Sequence, residues 1–439
     1  MLYRTTQLKK ENNAAETSVF PSLKKIFLAG FFCCMAVACL AQDDAIDSSQ
    51  FSGQVDMKDV VHQIFGNSPE AKNKSTKNFQ FALFPILGYT SNTGFAAAVG
   101  ANAVFKLSGS TRQSNIYTSF TYTQFNQTIL PFAASIWSRH DRFNFILDNR
   151  YINYPSSLYG LRGISKLDSG YSVNFKWLKL HASVLTRLMN NFYGGLGLYY
   201  DYFWDIEEDG VPVVTPTANN PLGIASAFEH YVGKKTPPGK ERAFGPAFRL
   251  LYDSRDNPVN AWKGFYGSLL FHPVFKGSLS DTNWSSLVID ARKYFSFSKT
   301  RENVLAFWAY YWQAFGKPSF LLLPSTGWDD FWNTGRGYSQ GRYRGNSMQY
   351  LEAEYRFQVT NNGLLGGVLF SNLENFPKEI FTSYSEHKDR EGVDALSLGA
   401  GLGFRVKFNK YSKTNVAFDI GFGQDVPRPW FAVNLGEVF

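Results

Sequence analysis

Cysteine is almost missing from this chain of 439 residues. Cys33, Cys34 and Cys39 lie in one apolar stretch near the N-terminus, and no cysteine follows residue 39. This distribution excludes a disulfide framework and a cysteine-ligated metal site in the rest of the chain. The excess of positive over negative charge is also small. The formal net charge is +8, and no basic run is interleaved with stacking aromatics, so nothing indicates a nucleic acid partner.

Long hydrophobic runs are missing as well. A membrane-spanning helix needs about 20 apolar residues, and no such run follows residue 41. The apolar run 26–40 is shorter, follows Lys24 and Lys25, and ends in small residues before a polar stretch. These features predict a signal peptide over residues 1–41. A lipoprotein signal is the alternative, because Ala36-Val37-Ala38-Cys39 is similar to a lipoprotein box without its usual leucine.

Residues 42–78 are polar and contain one short amphipathic pattern. Val55, Val60, Val61, Ile64 and Phe65 recur with a roughly helical period. The pattern predicts a short helix within a periplasmic tether. The alternative is an element that docks on a periplasmic complex.

Aromatic residues are abundant, at 17% of the chain, with 41 Phe, 24 Tyr and 10 Trp. A membrane β-barrel uses aromatics on its lipid face and in the girdles at both interfaces. From residue 79 onward the hydrophobic pattern has a period of two. In 396–408, apolar residues such as Leu402 and Phe404 alternate with small or charged residues such as Gly403 and Arg405. Such alternation places the two sets on opposite faces of a strand.

The period-two segments predict an all-β transmembrane antiparallel barrel of about sixteen strands over 79–439, an even number as in bacterial barrels. The predicted strands are 81–90, 93–107, 114–125, 128–138, 142–152, 169–183, 191–206, 242–254, 262–275, 284–298, 302–315, 347–358, 363–374, 395–408, 413–425 and 429–439. With a periplasmic N-terminus, the short connections are periplasmic. The long connections 153–168, 207–241, 316–346 and 375–394 are then external.

Four sequence blocks carry a family resemblance. The loop 316–346 contains Gly335-Arg336-Gly337-Tyr338, and the next strand contains Glu352-Ala353-Glu354-Tyr355-Arg356-Phe357. The other blocks are Asp253-Ser254-Arg255-Asp256-Asn257-Pro258 with Gly264, then Tyr159-Gly160, and the C-terminal Asn434-Leu435-Gly436-Glu437-Val438-Phe439. In this order, the blocks resemble the BamA/TamA superfamily of outer-membrane barrels, also called the bacterial surface antigen family. Only 42–78 precede the barrel, so we expect a short form without periplasmic POTRA modules.

The resemblance implies roles for individual residues. Arg336, Gly337 and Tyr338 are expected to hold the long loop inside the lumen, where Arg336 meets an acid on a late strand. Asp419 lies on the lumen face by strand parity, and Glu352 and Glu354 are alternatives. The family's acidic position on the thirteenth strand corresponds to Asn372, which can accept a hydrogen bond but cannot form a full ion pair.

Two further blocks have expected roles. The resemblance implies that Gly436 and Phe439 belong to a C-terminal assembly signal read by the barrel assembly machinery. Asp253, Arg255, Pro258 and Gly264 are expected to form a periplasmic turn motif. Asp, Asn and Pro favour turns by themselves, so a structural role is preferred over a binding role there.

The resemblance favours a barrel in the cell outer membrane that takes part in or supports the assembly or export of outer-membrane or surface proteins. Its partners would be membrane lipids, the assembly machinery and a further periplasmic or outer-membrane protein. A passive pore or structural barrel is the alternative, since sixteen strands leave room for a channel. None of the six histidines lies in a recognisable nucleophile motif, and no metal-ligand spacing stands out, so we expect no enzyme activity, cofactor or metal.

Overall fold

A computed structural model describes residues 53–57, 59–60, 63, 79–90, 93–161, 171–218, 220–234, 238–299, 302–330, 332–377, 396–424 and 426–439. Sixteen antiparallel strands form one sheet in chain order, which confirms the predicted all-β barrel. The strands are β1 (Phe79–Thr90), β2 (Gly94–Phe105), β3 (Ser114–Thr123), β4 (Thr128–Trp137), β5 (Phe143–Leu158), β6 (Tyr171–Met189), β7 (Phe192–Asp209), β8 (Lys240–Asp253), β9 (Gly264–Val274), β10 (Trp284–Ser296), β11 (Asn303–Gly316), β12 (Ser347–Gln358), β13 (Leu365–Asn375), β14 (Leu396–Asn409), β15 (Thr414–Gly423) and β16 (Trp430–Leu435). No helix among these residues has the length and apolarity needed to cross a membrane.

The two faces of the sheet are the reverse of those in a soluble sandwich. On β14, Leu402 is 53% exposed on the outer surface, whereas Arg405 is 3% exposed in the lumen. Glu352 and Glu354 of β12 are likewise buried, and Leu351 beside them points outward. An apolar exterior around a polar interior is the arrangement of a membrane barrel.

The two ends of the barrel differ in their connections. At one end, the turn end, neighbouring strands are joined by short segments such as 138–142 and 410–413. The other end, the loop end, carries the long connections 210–239, 317–346 and 376–395. The connection 210–239 includes a short helix, α1 (Ala227–Val232), whose N-terminus is capped by a capping box between Ser226 and Glu229.

The fifth and sixth strands extend further than predicted. The expected bounds 142–152 and 169–183 are wrong by up to six residues, because β5 continues to Leu158 and β6 to Met189. Tyr154 and Leu158 alternate as buried residues and join an aromatic cluster with Trp328 of the long loop. Packing against that loop keeps the chain extended over residues that were predicted to begin the connection 153–168.

The last strand is shorter than predicted. The expected strand 429–439 is wrong at its C-terminal end, because β16 stops at Leu435. Gly436 has φ +94°, and the final residues then turn into the lumen. Strands β1 and β16 lie side by side, yet within the described residues no hydrogen-bonded register joins them, unlike every other neighbouring pair. We call this boundary the seam.

Candidate functional site

The loop 317–346 between β11 and β12 folds into the lumen. Its two arms are joined by backbone hydrogen bonds between Thr326 and Tyr343 (3.0 Å) and between Gly341 and Thr326 (2.8 Å). The tip turns through Gly335 and Gly337, whose φ values are +75° and +113°. A Cβ on Gly337 would lie 2.9 Å from the Phe422 carbonyl carbon, so only glycine lets the loop approach β15 this closely.

Arg336 at this tip is 1% exposed and meets three carboxylates. Its Nη1 donates to Glu352 at 2.6 Å and to Glu354 at 2.8 Å, and its Nη2 lies 3.0 Å from Asp419. The guanidinium also lies 3.5 Å from the centre of the Phe370 ring. The planar fork of arginine can serve several acceptors at once. The structure therefore brings together Asp419 and both of its alternatives from the sequence, and we call these four charged residues the Arg336 cluster.

Tyr338 and Asn372 fix the backbone of the same tip. The Tyr338 hydroxyl donates to the carbonyl of Leu398 at 2.6 Å and accepts from the amide of Gln424 at 2.9 Å. The Asn372 side-chain amide donates to the Arg336 carbonyl at 2.8 Å. Asn372 therefore binds the backbone of Arg336 and not its guanidinium. This donor role differs from the acceptor role that the sequence suggested.

A second layer of charges lies next to the Arg336 cluster. Arg405 is 2.6 Å from Asp419 and 2.8 Å from Glu437, and Arg356 is 3.0 Å from Glu354. These contacts form one buried network of three guanidiniums and four carboxylates. Buried charges of this kind are tolerated when they are paired with one another. The network joins the loop to β12, β14, β15 and the C-terminal tail, residues 436–439.

The C-terminal tail belongs to the interior of the barrel. Phe439 is 6% exposed, with its ring centre 5.3 Å from that of Trp308 and 6.3 Å from that of Tyr294. A main-chain oxygen of Phe439 accepts a hydrogen bond from Arg356 at 2.7 Å. The predicted assembly signal of Gly436 and Phe439 is thus, in the folded chain, a turn and a buried anchor. Its recognition by assembly machinery stays a prediction.

The predicted turn motif organises the turn end. Asp253 pairs with Arg255 through two contacts of 3.0 Å, and the Arg255 Nη1 donates to the carbonyl of Pro258 at 3.5 Å. The carboxamide oxygen of Asn257 accepts from the amides of residues 259 and 260. A Cβ on Gly264 would lie 2.3 Å from the Ser254 carbonyl oxygen, so glycine is required there as well.

The same turn reaches across to other connections. Asp256 lies 3.3 Å from Lys413, and Asn260 donates to Glu302 at 2.9 Å. Burial raises the pKa of the Glu302 carboxyl. The charge of Lys407 and the hydrogen bond from Asn260 lower it by more, so the pKa of Glu302 lies below its ordinary value. These contacts support the structural role that turn chemistry suggested.

The N-terminal segment docks on the barrel itself. The amide of Val55 donates to the carbonyl of Asn362 at 3.0 Å, in the turn between β12 and β13. Lys410, in the turn between β14 and β15, lies 2.8 Å from Asp59, and its amide donates to Asp56 at 3.1 Å. The predicted helical pattern therefore begins on a docked segment. Val61, Ile64 and Phe65, the signal peptide and the lipoprotein box lie outside the described residues.

A second charged cluster escaped the sequence reasoning. Asp330 of the long loop lies 3.3 Å from Lys179 and 3.7 Å from Arg249, and its carbonyl accepts from Arg150. Asp148 lies 2.6 Å from both Arg150 and Lys179. We call these five residues the Asp330 cluster. Strand alternation signalled inward charges at 148, 150 and 179, but it could not indicate their partner in a distant loop.

Two histidines lie close together inside the barrel. His181 and His272 face each other in the lumen near Tyr199, with ring centres 6.3 Å apart. Across the described ranges, no group of three or more His, Cys, Asp or Glu residues is arranged to hold a metal ion. His181 instead contacts Asp201 at 2.9 Å and stacks on Tyr199.

Comparison with solved structures identifies this fold. A crystal structure of BamA from Haemophilus ducreyi lacking POTRA domains 1-3 is similar with a TM-score of 0.52 and 12% identity, over 84% of this chain and 74% of that one. CdiB from Acinetobacter baumannii and CdiB from Escherichia coli have TM-scores of 0.47 and 0.49 at 12% and 10% identity. They cover 83% of this chain and 61% and 66% of their own lengths. No protein-family model matches the chain, and no curated protein matches it. The chain thus has the fold of a BamA barrel.

Proposed function

We propose that this chain is a BamA/TamA-type barrel of the outer membrane that takes part in or supports the assembly or export of other outer-membrane or surface proteins. The Arg336 cluster carries the proposal. It lies at the tip of the loop where the family resemblance expects it, inside a barrel with the BamA fold. Its ion pairs place the loop beside β15 and, through Arg405, connect it to the tail that follows β16.

The seam supplies the means of action. Strand β16 has six residues, whereas β1 has twelve. An edge with unpaired backbone groups is a template on which another strand can pair. In the proposed mechanism, β1 and β16 separate and a client strand pairs with the exposed edge. The turn end and the docked N-terminal segment then face the periplasm, and the long loops face the exterior.

A passive pore is the second candidate, because the lumen wall is polar. The interior contains both the loop 317–346 and the C-terminal tail, which favours the first candidate over an open channel. His181 contacts Asp201 and Tyr199, and His272 packs against Tyr199 and Trp284, so neither histidine supports a catalytic proposal.

Depletion of the protein followed by mass spectrometry of the outer membrane tests the proposal. We expect other barrels or surface proteins to fall in abundance while their transcripts stay constant. Complementation with the unchanged chain should restore them, and complementation with an equally abundant Arg336→Ala chain should not. An unaltered outer-membrane proteome after depletion would refute the assembly role and favour the pore.

A further inference from the structure

The loop 317–346 carries opposite charges to two opposite walls of the lumen. Arg336 lies among the carboxylates of β12 and β15. Asp330, six residues earlier, lies among the cations of β5, β6 and β8. In a ring of sixteen strands these two groups face each other across the interior. Arg336 therefore neutralises negative charge on one wall, and Asp330 neutralises positive charge on the opposite wall.

The two attachments differ in strength. The carboxylates of the Arg336 cluster are 0% exposed and lie 2.6 to 3.0 Å from the guanidinium. The Asp330 side chain is 38% exposed and lies 3.3 Å from Lys179 and 3.7 Å from Arg249. Ion pairs lose strength with distance and with exposure to water. Asp330 is thus the contact that gives way first.

Removal of Asp330 leaves a built cationic site on the lumen wall. The side chains of Arg150, Lys179 and Arg249 are 8%, 6% and 11% exposed. Asp148 compensates Arg150 and Lys179 only in part, and within the described residues Asp330 is the single ion-pair partner of Arg249. With Asp148 and the neighbouring Asp201, which contacts Trp177 and His181, the three cations face two carboxylates, which leaves a formal charge of +1. A buried excess of this size needs an anionic partner.

We propose that Arg150, Lys179 and Arg249 form a carboxylate-binding site inside the lumen, which Asp330 occupies as an internal ligand. A soluble carboxylate, or an acidic side chain of a polypeptide that enters from the loop end, takes the place of Asp330 when the Asp330 side chain leaves the wall. Arginine forks and an ammonium group are suited to carboxylate oxygens. The site goes beyond the proposed assembly role and does not depend on it.

Recording currents from the purified full chain in planar bilayers under a KCl gradient tests this site. Asp330→Asn keeps the shape of the side chain and removes its charge. We expect the time spent open to rise about fivefold, the factor that a partly exposed ion pair supplies. The reversal potential should shift toward that of chloride. Citrate on the loop side should block the current of this variant at lower concentration than that of the unchanged chain.

Two further variants sharpen the test. Arg249→Gln removes the cation instead, so it should also open the barrel, but without the chloride preference and with citrate block weakened several-fold. Heat-dependent gel migration reports whether each variant folds. If Asp330→Asn does not fold, Arg249→Gln still tests the site. Asp209→Asn, an exposed acid at the loop end of β7, should behave like the unchanged chain. The proposal is overturned if neither variant opens the barrel, or if the opened Asp330→Asn barrel is indifferent to chloride and citrate.

Discussion

Replacing Arg336 with alanine is the perturbation with the clearest expected result. The side chain is almost wholly buried, and its removal withdraws the partner of Glu352 while reducing the compensation of Glu354 and Asp419. The remaining network has two guanidiniums against four carboxylates. We expect the barrel to reach the membrane, with the loop released from the lumen.

The magnitude follows from the burial of these charges. Truncating one partner of a buried ion pair costs about 3–5 kcal/mol, because the other charge stays behind without compensation. Adding Glu352→Gln to Arg336→Ala removes one of these charges, so the double variant should regain about 1–2 kcal/mol, within the usual range for coupled neighbours. Arg336→Lys keeps the charge without the planar fork and should lie between the unchanged chain and Arg336→Ala.

Two assays measure these differences. Unfolding of the purified barrel in urea gives the free energies, and protease added to intact cells reports whether the loop 317–346 is protected. Membrane fractionation controls for export. The reasoning is refuted if Arg336→Ala leaves loop protection unchanged and shifts the free energy of unfolding by less than about 0.5 kcal/mol, the scale of an ordinary surface substitution.

Three other predictions concern the tail and the N-terminal segment. Phe439→Ala should lower the free energy of unfolding of the folded barrel by about 3–5 kcal/mol, the cost of truncating a buried phenylalanine, whereas a residue used only for assembly would leave that value unchanged. Gly436→Ala should lower the free energy of unfolding in urea by about 1–2 kcal/mol, because the φ of Gly436 is +94°. Gly210→Ala is the control, since Gly210 is exposed, also has a positive φ and lies outside the tail. Lys410→Glu should expose the segment 53–60 to rapid limited proteolysis and leave barrel unfolding within about 0.5 kcal/mol. Burial lowers the pKa of Lys410, but the contact with Asp59 raises it by more, so the net shift is upward. Docking of the segment should therefore persist below the ordinary lysine pKa of about 10.4. It should be lost as the pH rises through the raised pKa of Lys410.

The barrel could be predicted because its pattern is local. Each strand passes between lipid and lumen, so its side chains alternate residue by residue, as Leu402 and Arg405 do. The strand β12 was predicted with its exact bounds for this reason. The ends of β5, β6 and β16 depend on contacts that the alternation does not contain. Tyr154 packs on Trp328 of a loop far along the chain, and Phe439 packs on Trp308.

The site was predictable only as far as strand parity and family motifs extend. Parity placed Asp419 on the lumen face, and the motif identified Arg336. Neither could decide among three candidate carboxylates, since all three meet one guanidinium that enters from a loop. The Asp330 cluster was missed for the same reason. Its cations lie on three strands, and their shared partner arrives across the lumen.

The loop and the tail are linked through Asp419 and Arg405, and this has a consequence for the seam. Arg336 and Arg405 both contact Asp419, and Arg405 also contacts Glu437 of the tail that follows β16. Loss of Glu437 should therefore free Arg405 to compete with Arg336 for Asp419. A double-mutant cycle between Arg336→Ala and Glu437→Gln should give a coupling energy of about 0.5–3 kcal/mol in urea unfolding. Additive effects within about 0.5 kcal/mol would mean that the loop and the last strand respond independently. A measurable coupling would mean that releasing the loop also loosens the strand that borders the seam.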